Sequence, residues 1–139
     1  MKKRMLSLLL ALVMVLTILP TVALAEDAPA MSGICGASGN ENNVKWELTD
    51  VDGDGKYTLT ISGTGAMKSF TVNSENDDRP WKDFISSITK GVVAQGVTNV
   101  GDGTFYNCSS MTSVELTDGI ILITGRAFEN CTSLTSLTL

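Results

Sequence analysis

Three aspartates at alternate positions, Asp50, Asp52 and Asp54, precede Gly55 with the spacing by which the first half of a calcium loop turns oxygens toward one ion. The second half of that pattern is missing, because its twelfth position falls on Ile61, which has no carboxylate to contribute. The flanking residues also read as strands and not as helices. A hairpin turn accounts for Asp52-Gly53-Asp54-Gly55 better than a metal loop does, and the three aspartates stay as a weak calcium candidate.

The other reactive side chains do not assemble into catalytic machinery. Histidine is absent, which removes the commonest general base, the Ser/His and Cys/His nucleophile pairs and most zinc sites together. Glu75, Asp77 and Asp78 could be imagined as a glycosidase pair, which needs two carboxyls about 5 to 10 Å apart across a cleft. They lie among Asn73, Ser74 and Asn76, however, and read as a solvated loop. None of the cysteines, Cys35, Cys108 and Cys131, has a base beside it. Trp46 and Trp81 could stack on sugar rings if exposed, but both suit core positions of a capping segment. The pairs Ser109-Ser110 and Thr132-Ser133 suit turns whose hydroxyls bond the backbone. The expectation is a protein without enzymatic activity and without a cofactor.

What must position these residues is an internal repeat. Gly96 to Leu116 superposes on Gly119 to Leu139 at an offset of 23 residues, placing Phe105 on Phe128, Asn107 on Asn130, Cys108 on Cys131 and Leu116 on Leu139. Apolar character persists at Val97 and Ile120, Val100 and Ile123, Met111 and Leu134, and Val114 and Leu137. A period between about 20 and 29 residues with this pattern marks a leucine-rich-repeat solenoid. Within each coil the strand alternates, so Val114 and Leu116 face inward and Ser113 and Glu115 outward. A degenerate earlier coil keeps the phase at Ile88 and Val93, with Gly91 where an apolar residue is expected. The segments from Gly96 and Gly119 turn the chain into a second wall, and Phe105 and Phe128 should stack as a core ladder. The fold class expected is mainly β, a solenoid of 23-residue period over residues 85–139 preceded by a β-hairpin cap in residues 44–84. Its outward strand positions, Lys90, Val92, Ser113, Glu115, Ser136 and Thr138, form the candidate ligand-binding face.

The stretches VGDGTFYNCSSMTSVELTDGII and ITGRAFENCTSLTSLTL resemble the BspA-like leucine-rich repeats of bacterial surface proteins, whose unit reads IGDxAFxxCxxLxxVxLPxGVxx. Departures occur at Gly103 and Thr104, which replace a bulky-Ala pair, at Thr124 and Gly125 in place of Gly-Asp, and at Thr117 in place of proline. The upstream residues Cys35, Gly36, Trp46, Leu48, Gly63, Gly65, Met67, Pro80 and Trp81 are similar to the leader preceding such repeats in clostridial surface proteins. The resemblance implies secretion or surface display, adhesion, and host or matrix binding. Equivalent places in consecutive coils should set Cys108 and Cys131 about 4.8 Å apart. That spacing would admit a disulfide, but the resemblance implies a ladder of buried reduced thiols.

In the leader, Lys45 to Thr49 and Lys56 to Ser62 alternate as two hairpin strands. Trp46 and Leu48 with Tyr57, Leu59 and Ile61 should make one apolar face that covers the end of the first coil. Ser69 to Asp78 reads as a polar loop, and Pro80 should open a short helical turn through Phe84. Residues 26–43, rich in Ala, Gly, Ser and Asn, read as a linker that leaves Cys35 half-exposed. Residues 1–25 read as a secretory signal: Lys2, Lys3 and Arg4 precede an apolar run, and Ala23 and Ala25 form a cleavage site.

Cleavage after Ala25 reduces 139 residues to 114 and, by removing three basic residues, takes the formal charge from −5 to −8. Without a basic patch, nucleic acid and anionic lipid are poor partners. A protein or glycan ligand on an extracellular surface remains, with no membrane association after cleavage. Because Leu139 is the last strand position of a coil, the array reads as cut short. Its edge at Phe128, Leu137 and Leu139 should be partly exposed, with self-association through that edge the expected liability. The function expected is a secreted or bacterial cell-surface scaffold for protein or glycan recognition and adhesion. The alternative is a targeting arm of a longer cell-wall or glycan-active enzyme whose catalytic domain lies outside this chain. N-terminal sequencing of exported material should begin at Glu26, and a product retaining Met1 in the membrane fraction would overturn the cleavage assignment.

Overall fold

The computed structural model describes residues 31–139; the expected signal segment, its expected cleavage site and residues 26–30 lie outside the described residues. The first three strands form an antiparallel meander of β1 (Met31–Ile34), β2 (Val44–Thr49) and β3 (Tyr57–Gly63). Alternation decides which side chains point into the core, as Trp46 sits opposite Ile61 and Leu48 opposite Leu59 on the buried side. From Met31 onward the linker expected over residues 26–43 is replaced by structure. β1 pairs with β2, Gly36 bridges Met67 and Cys35 is buried. Four residues containing a glycine carry too little alternation to announce a strand. The Trp46 indole explains the glycine, since a Cβ on Gly33 would come within 2.7 Å of its Nε1.

The repeats supply three parallel strands, β4 (Ile88–Val93), β6 (Ser113–Leu116) and β8 (Ser136–Thr138), and a second wall of β5 (Asn99–Val100) and β7 (Leu122–Ile123). Lys90 lies beside Ser113, and Ser113 beside Ser136, each pair 23 residues apart. The hairpin was expected to lay its apolar face over the first coil. It joins by its edge instead: β3 pairs in parallel with β4, Thr60 beside Val92, and the sheet runs β1-β2-β3-β4-β6-β8. Edge pairing satisfies the backbone groups of β4 that a face-on cap would leave unbonded.

Inside the coils the ladder is dense. Val97, Val100, Phe105, Cys108, Met111 and Val114 are fully buried, and the Phe105 and Phe128 rings stack with centroids 5.3 Å apart and 10° between their planes. Gly91 interrupts the apolar pattern because the Phe105 ring already fills the space; a Cβ there would lie 2.7 Å from its Cε1. Gly103, a departure from the repeat pattern, has φ +72° and lies against Val72, where a Cβ would come within 2.8 Å of Cγ2. A side chain there would meet both the backbone strain of a positive φ and the Val72 methyl groups.

The segment Ser69 to Asp78, expected to be a polar loop, contributes buried Phe70 and Val72 to the core. It is held there by Arg79, whose side chain is 1% exposed. Its Nε donates to Asp77 Oδ1 at 2.9 Å, and its Nη1 donates to the carbonyls of Tyr106 at 2.6 Å and Gly103 at 3.3 Å. Trp81 adds a bond from Nε1 to the Thr104 carbonyl at 3.2 Å, and Phe70 meets the Trp81 ring edge-on. Asp77 is therefore a structural ion-pair partner and not a solvated loop residue. Burial opposes its ionisation, but the hydrogen bonds and charge of Arg79 outweigh that and hold the carboxyl below the usual aspartate range.

Phe105→Ala should cost about 3 to 5 kcal/mol, whereas the surface change Ser113→Ala should stay within about 0.5 kcal/mol; equal melting of the two variants would mean the repeat phase is wrong. Arg79→Met should cost about 2 to 4 kcal/mol, below the range for a wholly buried pair because Asp77 keeps some contact with water. Since the folded-state pKa of Asp77 is depressed, its stabilisation is complete above the ordinary aspartate range near about 4 and is lost as pH falls through the folded value. The Tm gap between wild type and Asp77→Asn should accordingly be present at neutral pH and close in acid.

Candidate ligand-binding face

Strand pleating sends every second residue away from the core, and lateral pairing lines those residues up across the sheet. One outward row runs Ser32, Glu47, Thr60, Val92, Glu115, Thr138 across all six strands. A second runs Thr49, Thr58, Lys90, Ser113, Ser136, and a third, shorter row holds Ile34, Lys45 and Ser62. The six residues expected from the repeats, Lys90, Val92, Ser113, Glu115, Ser136 and Thr138, thus lie on one face as neighbours. Ser136, Thr138 and Glu115 are exposed, and Lys90, Val92 and Ser113 half-buried.

Sequence reasoning missed the other half of this face. Glu47, Thr49, Thr58 and Thr60 extend the rows because β3 continues the ladder. Their alternation was visible, but a hairpin laid over the solenoid end would have pointed them elsewhere. The surface is rich in hydroxyls and carries one cross-strand ion pair, Lys90 Nζ to Glu115 Oε1 at 2.6 Å. Both side chains are more than a third exposed, so the pair adds little stability.

The candidate calcium residues do not converge. Asp50 Oδ1 accepts the backbone N–H of Gly53 at 2.8 Å and of Asp54 at 3.2 Å, and its Oδ2 accepts that of Gly55 at 2.9 Å. Asp54 turns to Lys56, with a 3.0 Å ion pair whose hydrogen bond holds its carboxyl below the usual range. Among the described residues no group of three His, Cys, Asp or Glu side chains is placed to hold a metal ion. This geometry is that of a self-capped hairpin turn.

The other candidates for chemistry are likewise engaged in structure. Asp78 accepts the Thr71 N–H at 2.7 Å and faces Lys68 Nζ at 3.2 Å. Burial pushes the thiols of Cys35 and Cys108 up to about 12, so neither forms a thiolate at neutral pH. Cys35, expected to be half-exposed, is 2% exposed. Cys131 is free as well, and its Sγ donates to the Phe105 carbonyl at 3.1 Å. Trp81 is fully buried and Trp46 is 8% exposed, so neither presents a ring for sugar stacking.

Residues 83–139 match the model of the BspA type leucine-rich repeat region. None of the curated proteins matches the chain. Among solved structures, a leucine-rich repeat protein from Eubacterium ventriosum ATCC 27560 is 34% identical, with a TM-score of 0.60 over 77% of this chain and 26% of its own length. A leucine rich cell surface protein from Faecalibacterium prausnitzii A2-165 is 20% identical, with a TM-score of 0.38 over 75% of this chain and 30% of its own. The chain spans less than a third of the length of either. The parallel ladder of β4, β6 and β8, its stacked phenylalanines and this match agree: the chain carries a BspA-type leucine-rich-repeat region over residues 83–139.

Proposed function

We propose that this protein is a secreted or cell-surface scaffold that recognises a protein or glycan through the outward face of its six-stranded sheet. The observation that carries the reading is the continuity of that face: leader and repeats present aligned outward rows, while the apolar residues of the same strands turn inward. The core fixes the backbone, so outward positions can vary without loss of fold. The hydroxyl rows offer hydrogen bonds suited to adhesion, while the Lys90 and Glu115 charges on the same face satisfy each other. The basic segment and small-residue site at the N-terminus support export.

Beads coated with the mature chain test this directly, by their adherence to surfaces carrying extracellular-matrix protein or cell-wall glycan. Ser113→Arg together with Ser136→Arg, which place bulky charges on the face, should lower adherence about tenfold, equivalent to about 1.4 kcal/mol. Glu75→Arg, in the loop away from the face, should leave adherence unchanged. Equal adherence of wild type and both variants would sink the assignment of the face.

A further inference from the structure

The leader end of the outward face differs from the repeat end in one respect that bears on what it can bind. Lys45 and Glu47 are two residues apart on β2, both exposed and both outward. At about 3.4 Å of rise per residue their stems stand about 7 Å apart. Among the described residues neither belongs to an ion pair, whereas Lys90 and Glu115 satisfy each other. Around them is a shallow cavity of about 390 Å³, lined by Ser32, Gly33, Ile34, Lys45, Trp46, Glu47 and Ser62. Its floor is the paired backbone of Gly33 and Trp46, its rim holds two hydroxyls, and Ile34, half-exposed, adds one apolar wall.

We propose that this cavity is a recognition subsite for an extended polypeptide segment carrying one cationic and one anionic side chain two residues apart. The proposal rests on the outward face being the binding surface, and it names where on that face recognition concentrates and what it selects. Side chains i and i+2 of any extended strand share a face and the same spacing of about 7 Å, so such a segment pairs its cation with Glu47 and its anion with Lys45. A neutral sugar offers no ionic group for this pair. Its usual aromatic platform is also missing, because both tryptophans lie beneath the sheet. The volume suits one or two side chains of the segment, with the rest lying across the hydroxyl rows of β3.

Amide chemical shifts of the mature chain test the proposal with short blocked threonine-rich peptides centred on Arg-Thr-Asp or on Arg-Asp-Thr, the latter placing its charges on opposite faces when extended. Shifts should centre on residues 32–34, 45–47 and 62, with Arg-Thr-Asp binding about fivefold tighter, as expected for two exposed ion pairs. Lys45→Glu should abolish that preference and create one for Arg-Thr-Arg. Equal binding of the two peptides, or no shifts at millimolar concentration, would overturn the subsite. Shifts confined to residues 113–138 would also overturn it while leaving the outward-face reading intact. Shifts at the cavity with chitohexaose but with neither peptide would overturn the polypeptide class.

Discussion

The structure depends on one constraint, the in-register stacking of coils by parallel backbone pairing. Ser113 can bond only beside Lys90 and Ser136, and that register brings Phe105 over Phe128 and Val114 over Leu137. Each coil buries its apolar edge against the next, so burial is a property of neighbours and not of single coils. The gradient along the repeats shows it. Val100, Val114 and Leu116, which have a coil on either side, are buried, whereas their counterparts Ile123, Leu137 and Leu139 are 46%, 48% and 81% exposed. Apolar side chains in the same phase, identical in the case of Leu116 and Leu139, thus differ in burial with what lies beside them.

The same constraint explains the construction of the leader. β4 needs a partner on the side away from β6, and β3 supplies one in parallel register despite belonging to an antiparallel hairpin. The second wall needs the same: Gly65 bridges Val97, and the side-chain amide of Asn99 exchanges bonds with the Met67 backbone. Arg79 then reaches the carbonyls of Gly103 and Tyr106 inside the first full coil. Arg126 reaches back to the Val72 carbonyl at 2.8 Å while pairing with Asp102. These bonds satisfy backbone groups at the turns, where no neighbouring strand can. The leader is consequently a zeroth coil, built from different sequence but meeting the same hydrogen-bonding demands.

Periodic features could be read from the sequence because they occur twice. The phenylalanine ladder, the buried positions of β6 and the two outward rows Lys90-Ser113-Ser136 and Val92-Glu115-Thr138 all follow from an offset of 23 residues together with strand alternation. Features that arise once depend on contacts between distant residues and left no local trace. Gly91 looked like a degenerate position and is the space occupied by Phe105; Gly103 looked like a departure from the repeat unit and is where Val72 packs. Asp77 sits among asparagines and serines, a setting that suggests solvent, yet it partners a buried arginine two residues later. The strand at Met31–Ile34 exists because β2 has a free edge. Composition there spoke only of small residues.

These one-off contacts also determine how much outward-facing surface the sheet presents. Had the hairpin covered the coil face-on, the outward face would comprise three strands and the charges of β2 would point elsewhere. Because it joins by its edge, the face doubles to six strands, and an antiparallel half abuts a parallel half in one continuous set of rows. The two halves differ chemically. The repeat half carries a satisfied ion pair among hydroxyls, while the leader half carries Lys45 and Glu47 beside a cavity. Specificity comes from charged groups that are satisfied only by the right partner, whereas groups satisfied within the protein discriminate little. On the proposed reading, a face whose repeat half is internally neutralised would concentrate its ionic selectivity in the leader.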